Sequence, residues 1–196
     1  MIIVSSPSGG GKTTIVERLL KRHPDWVRSI SATTRLPRTG EKHGVDYLFF
    51  SPEAFQELEK KGALLESAKV FDQLYGTPKG FVLERLKEGK NVILAIDVQG
   101  AQIVRGKTGK DIPFVSIFIL PPSLKVLRER LENRKTDKPE EIERRLQIAQ
   151  EEIKAAGDYD FTVINQTLEE TVLEMESCIE KFRKERRKKE NAIRSN

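Results

Sequence analysis

The feature that most constrains this chain is a glycine-rich loop close to its first residue. The stretch SPSGGGKTT occupies residues 6–14 and follows the apolar run 2–4, which predicts a short buried strand. After the loop, apolar residues recur at helical spacing over residues 12–22, and Pro24 follows. A strand, a glycine loop and a helix in this order are typical of a phosphate-binding loop. The sequence therefore predicts an α/β fold that begins with an anion-binding turn.

The residue types in the loop suit a nucleoside triphosphate. The pattern G-x-x-x-x-G-K-[ST] fits at Gly11, Lys12 and Thr13, but Ser6 stands where the first glycine belongs. Ser6 costs little unless its position requires a positive φ. We expect Lys12 to reach the β- and γ-phosphates and the Thr13 hydroxyl to suit Mg²⁺. The predicted ATP-binding residues of the loop are Ser8, Gly9, Gly10, Gly11, Lys12, Thr13 and Thr14. The alternative is a plain glycine-rich turn with a solvated lysine.

Composition narrows the class of protein. With 196 residues, 37% hydrophobic and 33% charged, the chain is long enough for one domain with an elaborated lobe. Its single cysteine, Cys178, permits no intrachain disulfide and favours a reducing cytoplasm. No apolar stretch approaches the length of a membrane span, so we expect no membrane partner.

The net charge of +5 is concentrated at one end of the chain. Residues 183–196 hold seven basic and two acidic side chains, which equals the whole excess. A solvated helix end, with positive charge near the helix C-terminus, is the interpretation we favour. A nucleic-acid-binding tail is the alternative, and it would bind with a steep salt dependence.

Apolar runs alternate with helical patterns along most of the chain. The predicted strands are 1–5, 92–96, 114–120 and 161–164, and the predicted helices are 12–22, 79–88, 123–133, 139–156 and 168–188. This alternation predicts a parallel sheet with helices on both faces. Two regions depart from it. Residues 31–78 indicate an inserted lobe with its own small sheet, and the highly charged residues 134–145 indicate a mobile flap.

Three charged side chains stand out near these elements. Asp97 follows the apolar strand 92–96, and a carboxylate beside a phosphate loop commonly orients Mg²⁺ and its waters. Arg35 and Arg38 lie three residues apart in one loop and could grip a dianionic phosphate together. The plainer alternatives are that both arginines are simply solvated and that Asp97 is an ordinary residue at the end of a strand.

Arginines also flank the charged flap. A flap that closes over a bound triphosphate could bring these side chains to it, where they would stabilise the charge of a phosphoryl-transfer transition state. The arginines are Arg130, Arg134, Arg144 and Arg145. The alternative is a solvated helix surface on which neighbouring glutamates pair with these arginines.

Several segments together resemble guanylate kinase in order and spacing. Besides the phosphate loop they are TTRLPRTGEKHGVDYLF (33–49), LLES (64–67), YGTP (75–78), ILAIDVQG (93–100), RLENR (130–134) and RRLQIAQEE (144–152). The match covers about residues 1–166. It is specific because it depends on several short patterns together and not on any single one.

The resemblance implies a fold and an activity. The fold would be a P-loop nucleoside-triphosphate-hydrolase-like α/β core with a parallel sheet, an inserted GMP-binding lobe and a mobile lid. The core would take 1–30, 79–123 and 148–196, the lobe 31–78 and the lid 124–147. The activity would be transfer of the γ-phosphoryl of ATP to GMP, giving ADP and GDP, in purine nucleotide metabolism and GMP recycling. The implied partners are the substrates ATP and GMP, with Mg²⁺ as cofactor, in a monomer or small homo-oligomer with no nucleic acid.

The resemblance also implies the roles of individual residues on the GMP side. The phosphate would be held by Arg35, Arg38, Tyr47 and Tyr75, and guanine would be read by Ser31, Glu66 and Thr77. A Glu66 carboxylate can accept from N1–H and the 2-amino group, while Ser31 or Thr77 can donate to O6. Adenine lacks N1–H and would leave these groups unpaired. Asp97 would lie at the GMP site and share Mg²⁺ with Thr13.

On the ATP side, the resemblance implies catalysis by positioning and electrostatics, with no covalent intermediate. Lys12, Arg134 and Arg145 would reach the transferring phosphate, and Arg38 would contact the GMP phosphate from the acceptor side. Arg130 and Asn165 would lie near the adenine.

The chain departs from the family pattern at a few places. Ser6 replaces a glycine, Ala95 stands where a second acidic residue is usual, Gln166 replaces an aspartate, and residues 70–74 differ before YGT. Ala95 puts in doubt any contact of that second acid and leaves Asp97 to act alone.

Three rival functions remain to be weighed. A catalytically dead module usually loses phosphate-loop or lid residues, yet Lys12, Thr13 and the lid arginines are present. A GTPase switch usually carries an Asn-Lys-x-Asp motif, which the sequence lacks. A kinase for another nucleoside monophosphate is disfavoured by Glu66 with Ser31.

Overall fold

The computed structural model describes residues 1–70, 72–108, 112–133 and 138–194. Its strands are β1 (Ile2–Ser5), β2 (Val27–Arg28), β3 (Ala32–Thr33), β4 (Leu48–Phe49), β5 (Leu64–Val70), β6 (Gln73–Pro78), β7 (Val92–Ala95), β8 (Val115–Leu120) and β9 (Phe161–Ile164). Its α-helices are α1 (Lys12–Arg22), α2 (Pro52–Lys60), α3 (Lys79–Lys87), α4 (Val98–Thr108), α5 (Leu124–Glu132), α6 (Pro139–Lys154) and α7 (Leu168–Arg194).

The strands form two sheets. The larger has the strand order β2-β7-β1-β8-β9, and the smaller has the order β4-β3-β6-β5. Pairing is parallel both between β2 and β7 and between β8 and β9. Every residue of β1 and the first five of β8 are buried, as expected for strands that are covered on both faces. The predicted α/β fold with a parallel sheet is confirmed.

The chain divides into two compact units. The first unit comprises Met1–Ile3 and Leu20–Phe114, and the second comprises Val4–Leu19 and Val115–Asn196. The core, lobe and lid boundaries predicted from the sequence divide the chain in another way, and they stay predictions.

In the first unit, the small sheet fixes the positions of several polar side chains. β6 runs antiparallel between β3 and β5, with Ala32 opposite Gly76 and Glu66 opposite Thr77. The register shifts between Leu64 and Glu66, which marks a β-bulge in β5. A bulge places an extra residue in one strand and changes where the following side chains point. Here it brings Glu66 level with Thr77.

In the second unit, α5 and α6 pack through one apolar cluster. The cluster consists of Leu127, Leu131, Ile142, Leu146 and Ala149. Their spacing of three and four residues along each helix puts them on a single face. Helix α7 buries Val172, Met175 and Ile179 by the same spacing, as the sequence predicts.

Two helices are not predicted from the sequence, and one is longer than predicted. α2 buries one apolar side chain, Phe55, and lies in the region assigned to the inserted lobe. α4 buries Val98, Ala101 and Val104, but its two glycines, Gly100 and Gly106, weaken the helical pattern in the sequence. α7 continues to Arg194, six residues past its predicted end, because no glycine or proline stops it. No described helix is both long and apolar enough to cross a membrane.

We expect Ile117→Ala to lower the free energy of unfolding by about 2–5 kcal/mol, because it removes a fully buried side chain from β8 and leaves a cavity. Ile164→Ala is the matched control, since Ile164 is 48% exposed at the end of β9. Urea denaturation of both variants measures the difference. Equal losses would contradict the placement of β8 at the centre of the core.

Candidate functional site

The phosphate loop lies between β1 and α1 and takes a conformation that depends on glycine. Gly9 and Gly11 have φ values of 88° and 95°, in the left-handed region that disfavours other residues. Gly11 precedes α1, and its carbonyl accepts from the Ile15 N–H at 3.1 Å. The first-turn N–H groups of α1 therefore face the loop, where an anion is stabilised by the helix dipole.

Ser6 is accommodated in the loop without backbone strain. Among the described residues other than glycine, only Asp72 has a positive φ, so Ser6 does not need to be glycine. Its hydroxyl donates to the Pro7 carbonyl at 3.1 Å, and its Cβ lies against Gly10, where a second Cβ would come within 2.9 Å. The departure from the glycine pattern is thus compensated locally by Gly10.

Asn165 braces the loop from the end of β9. Its Nδ2 donates to the Gly10 carbonyl at 2.8 Å, and the residue is only 6% exposed. The Asn165 backbone carbonyl accepts from Arg130 at 3.1 Å. A side chain at Gly11 would collide with the Asn165 amide. The structure thus ties together three predicted ATP-site residues, while contact of Asn165 with adenine stays a prediction.

Two predicted arginines of α5 and α6 are partly or fully buried. Arg145 is 7% exposed, and its guanidinium donates to Glu141 at 3.0 Å, one helical turn away. In Arg130, Nη1 is buried and has no hydrogen-bond partner among the described residues. A buried guanidinium N–H without an acceptor is costly, so a ligand that supplied one would bind favourably. Arg134 lies outside the described residues.

In the first unit, Arg35 and Glu41 form a half-buried ion pair inside the loop that also carries Arg38. Arg35 donates to one Glu41 oxygen at 2.8 Å, and the Arg38 N–H donates to the other at 2.7 Å. Burial favours the neutral acid, but these hydrogen bonds outweigh it and lower the pKa of Glu41. The Arg38 side chain itself is exposed. Glu41 therefore fixes both the guanidinium and the loop backbone.

The two predicted phosphate-binding tyrosines surround the same guanidinium. Arg35 lies 5.2 Å from the Tyr47 ring centroid, and the rings of Tyr47 and Tyr75 meet edge to face at 6.0 Å. Burial would lower the pKa of Arg35, but its hydrogen bond to Glu41 and the nearby Tyr75 raise it. Burial raises the pKa of Tyr47, so its hydroxyl remains a donor at neutral pH. The predicted set Arg35, Tyr47 and Tyr75 is thus one cluster.

The predicted guanine-reading residues lie on the small sheet. Glu66 is 3% exposed and accepts from the Thr77 hydroxyl at 2.7 Å. Ser31 directly precedes β3, whose Ala32 lies opposite Gly76, the neighbour of Thr77. A carboxylate this deeply buried is costly unless partners compensate for the lost water. Because the single Thr77 proton goes to Glu66, the hydroxyl cannot also donate to a base in this arrangement.

Asp97 lies at the N-terminus of α4, where its Oδ1 accepts from the Gly100 N–H at 2.8 Å. Within the described ranges, no group of three or more acidic, histidine or cysteine side chains could form a metal cage. Asp97 and the exposed hydroxyl of Thr13 are hard oxygen donors of the kind that Mg²⁺ prefers. Each of these side chains, taken by itself, is of a type that fits a Mg²⁺ ion receiving most of its ligands from nucleotide phosphates and water.

Sequence reasoning missed two residues at these sites, Glu41 and Gly100. A carboxylate three residues after Arg38, in a loop with two arginines, is a signal that could have found Glu41. No local pattern indicates the importance of Gly100, because it depends on the position of Glu66, which belongs to a separate strand.

Comparison with known proteins supplies the observation that decides the family. The family model for guanylate kinase matches residues 1–182. The chain belongs to the guanylate kinase family. It is 46% identical over 190 residues to the guanylate kinase of Wolbachia sp. subsp. Brugia malayi (strain TRS), covering 95% of this chain and 94% of that protein. It is 44% identical over 179 residues to the guanylate kinase of Clostridioides difficile (strain 630), covering 91% and 86%.

A solved structure supports the same assignment. The crystal structure of guanylate kinase from Anaplasma phagocytophilum is 33% identical and has a TM-score of 0.76, with 92% of this chain and 84% of that chain covered. The resemblance, the fold class and the nucleoside monophosphate kinase activity predicted from the sequence are confirmed.

We expect Asn165→Ala to weaken ATP binding about tenfold, because the Gly10 carbonyl loses the amide that holds it and the loop relaxes. GMP affinity should not change, since the hydrogen bonds that Asn165 makes to described residues all lie within the second unit. Steady-state KM values for both substrates measure the effect, with Gln166→Ala as the control at an exposed neighbour. An unchanged KM for ATP would show that the brace is dispensable.

Proposed function

We propose that the chain converts GMP to GDP by direct transfer of the γ-phosphoryl group of ATP, with each substrate held by its own unit. ATP is assigned to the glycine loop of the second unit, and GMP to the small sheet of the first. The observation that carries the assignment of GMP is the buried carboxylate of Glu66, which is 3% exposed and paired with Thr77.

Glu66 selects guanine by hydrogen-bond complementarity. Guanine offers N1–H and a 2-amino group side by side, and both can donate to one ionised carboxylate. Adenine has no N1–H and no 2-amino group, so it would offer the buried carboxylate neither of these two hydrogen bonds, which costs about 1.5–3 kcal/mol for each lost bond. Since Thr77 donates to Glu66, the hydroxyl of Ser31 is the donor assigned to guanine O6.

The acceptor phosphate is assigned to the cluster around Arg35. A planar guanidinium has five N–H groups, so Arg35 can keep Glu41 on one edge and bind phosphate oxygens on another. Tyr47 and Tyr75 add hydroxyl donors beside it. Arg38, whose side chain is exposed, is assigned to the solvent-facing side of the same phosphate.

The transfer step requires no covalent intermediate. A GMP phosphate oxygen attacks the γ-phosphorus of ATP, and the bond to the β–γ bridging oxygen breaks to release ADP. Lys12, Arg145 and Arg134 are assigned to the charge that develops on the transferring group, and the loop N–H groups hold the β-phosphate. The deep burial of Arg145 supports its role, because electrostatic stabilisation is stronger away from water.

Mg²⁺, held by Thr13 and Asp97 together with the nucleotide, would neutralise phosphate charge. A cytoplasmic location is part of the proposal, and the half-buried free thiol of Cys178 supports it, since a reducing compartment keeps such a thiol reduced.

A panel of acceptors tests the assignment of the base. With ATP and Mg²⁺, we expect kcat/KM for GMP to exceed that for AMP, UMP, CMP or dTMP by about 10³–10⁵, because only guanine satisfies Glu66. Coupled detection of ADP measures each rate. Equal turnover of AMP would reject the role of Glu66, and no turnover of any acceptor would favour a binding module without catalysis.

Lys12→Ala should lower kcat by about 10²–10³ or more, because it removes a positive charge assigned to the transferring phosphate. GMP affinity should stay within about twofold, since GMP is assigned to the other unit. Lys21→Ala, an exposed lysine in the last turn of the same helix, is the matched control. Isothermal titration with GMP separates the two effects, and a large loss of GMP affinity would contradict the division between units.

A further inference from the structure

The helix that follows Asp97 leaves a space that the Glu66 carboxylate needs. A Cβ at Gly100 would lie 2.8 Å from Glu66 Oε2 and 3.0 Å from Asp97 Oδ1. A Cβ almost never comes within 3.0 Å of an oxygen to which it is not bonded, so a side chain at residue 100 would displace the Glu66 oxygen. Gly100 itself is buried within α4 and has no positive φ. Glycine is therefore favoured at residue 100 because there is no room for a side chain, and not because of the backbone conformation.

Of the two carboxylates, Glu66 is the one expected to move. The Asp97 oxygen is held by the Gly100 N–H at 2.8 Å, within the same turn of chain. The Glu66 oxygen reaches α4 at the end of a longer side chain from β5, which turns more readily about its torsions. A Cβ at residue 100 would therefore rotate the Glu66 carboxylate away from its bond with Thr77.

We propose that Gly100 is a specificity-determining residue that acts through Glu66. Because residue 100 has no side chain, the Glu66 carboxylate can keep the orientation in which it recognises guanine. Three features define this orientation: the Thr77 hydroxyl on one oxygen, the bare Cα of Gly100 beside the other, and the bulge in β5 that brings Glu66 level with Thr77. Gly100 is a positioning residue and does not need to touch the substrate. The inference rests on the assignment of Glu66 to guanine in the proposed function.

Gly100→Ala tests the inference because it should weaken GMP recognition while the protein stays folded. The gain in helix propensity and the loss of the buried Glu66–Thr77 hydrogen bond act on the melting temperature in opposite directions, and the melting temperature together with the circular dichroism spectrum checks that the fold is kept. The KM for GMP should rise about tenfold or more, as expected for loss of hydrogen bonds to a charged group. The KM for ATP should not change. The preference for GMP over IMP, which lacks the 2-amino group, should fall by a similar factor.

Gly106→Ala is the matched control, since it makes the same substitution in the same helix. A Cβ at Gly106 meets no atom of the described residues within 4 Å. Its kinetics should match those of the parent protein, and its melting temperature should be equal or higher. A rise in the KM for GMP in Gly106→Ala similar to that in Gly100→Ala would overturn the inference, because the effect would then belong to α4 as a whole.

A double-mutant cycle with Glu66→Ala separates this inference from the proposed function. If Gly100 acts through Glu66, then adding Gly100→Ala to Glu66→Ala should change GMP affinity by less than about twofold. An equal loss in both backgrounds, or no loss from Gly100→Ala alone, overturns the inference while the role of Glu66 stands. Undiminished GMP affinity in Glu66→Ala itself would overturn the assignment of the base and, with it, the inference.

Discussion

A buried charge needs protein groups that replace the water it has lost. This requirement accounts for the arrangement of side chains at the candidate GMP site and at the candidate ATP site. Water stabilises an exposed carboxylate or guanidinium, so removing it costs several kcal/mol unless protein groups replace it. Glu66 has the Thr77 hydroxyl, Arg35 has Glu41, and Arg145 has Glu141. Each charge is thereby held in one orientation before a substrate binds, and such preorganisation is what electrostatic catalysis and base selection need.

The glycine loop illustrates the same principle with backbone groups. Its N–H groups can bind an anion only if the carbonyls that point away find other donors. The Gly10 carbonyl accepts from the Asn165 side chain, and the Gly11 carbonyl accepts from an N–H group in the first turn of α1. Asn165 belongs to the end of β9, more than 150 residues along the chain. The conformation of the loop therefore depends on the folding of the whole second unit, although the motif itself is local.

Much of this could be predicted from the sequence, for identifiable reasons. The phosphate loop, the buried strands and the amphipathic helices are written in local patterns, and α1 begins and ends where its apolar spacing predicts. The roles proposed for Glu66 and Asn165 rest on the family resemblance, because a single glutamate or asparagine has no local signature in the sequence. The contacts of Gly100 and the bulge at Glu66 were not accessible at all, since each arises where separate strands and helices meet.

Glu41 has a consequence for the protein in the absence of nucleotide. A pocket built to hold a dianion concentrates positive charge, and cations left without a counterion in a partly buried site repel one another and oppose folding. The Glu41 carboxylate supplies that counterion from three residues beyond Arg38, with the Arg35 side chain 16% exposed and its own 19%. The loop of Arg35 and Arg38 therefore carries its own counterion when no nucleotide is bound.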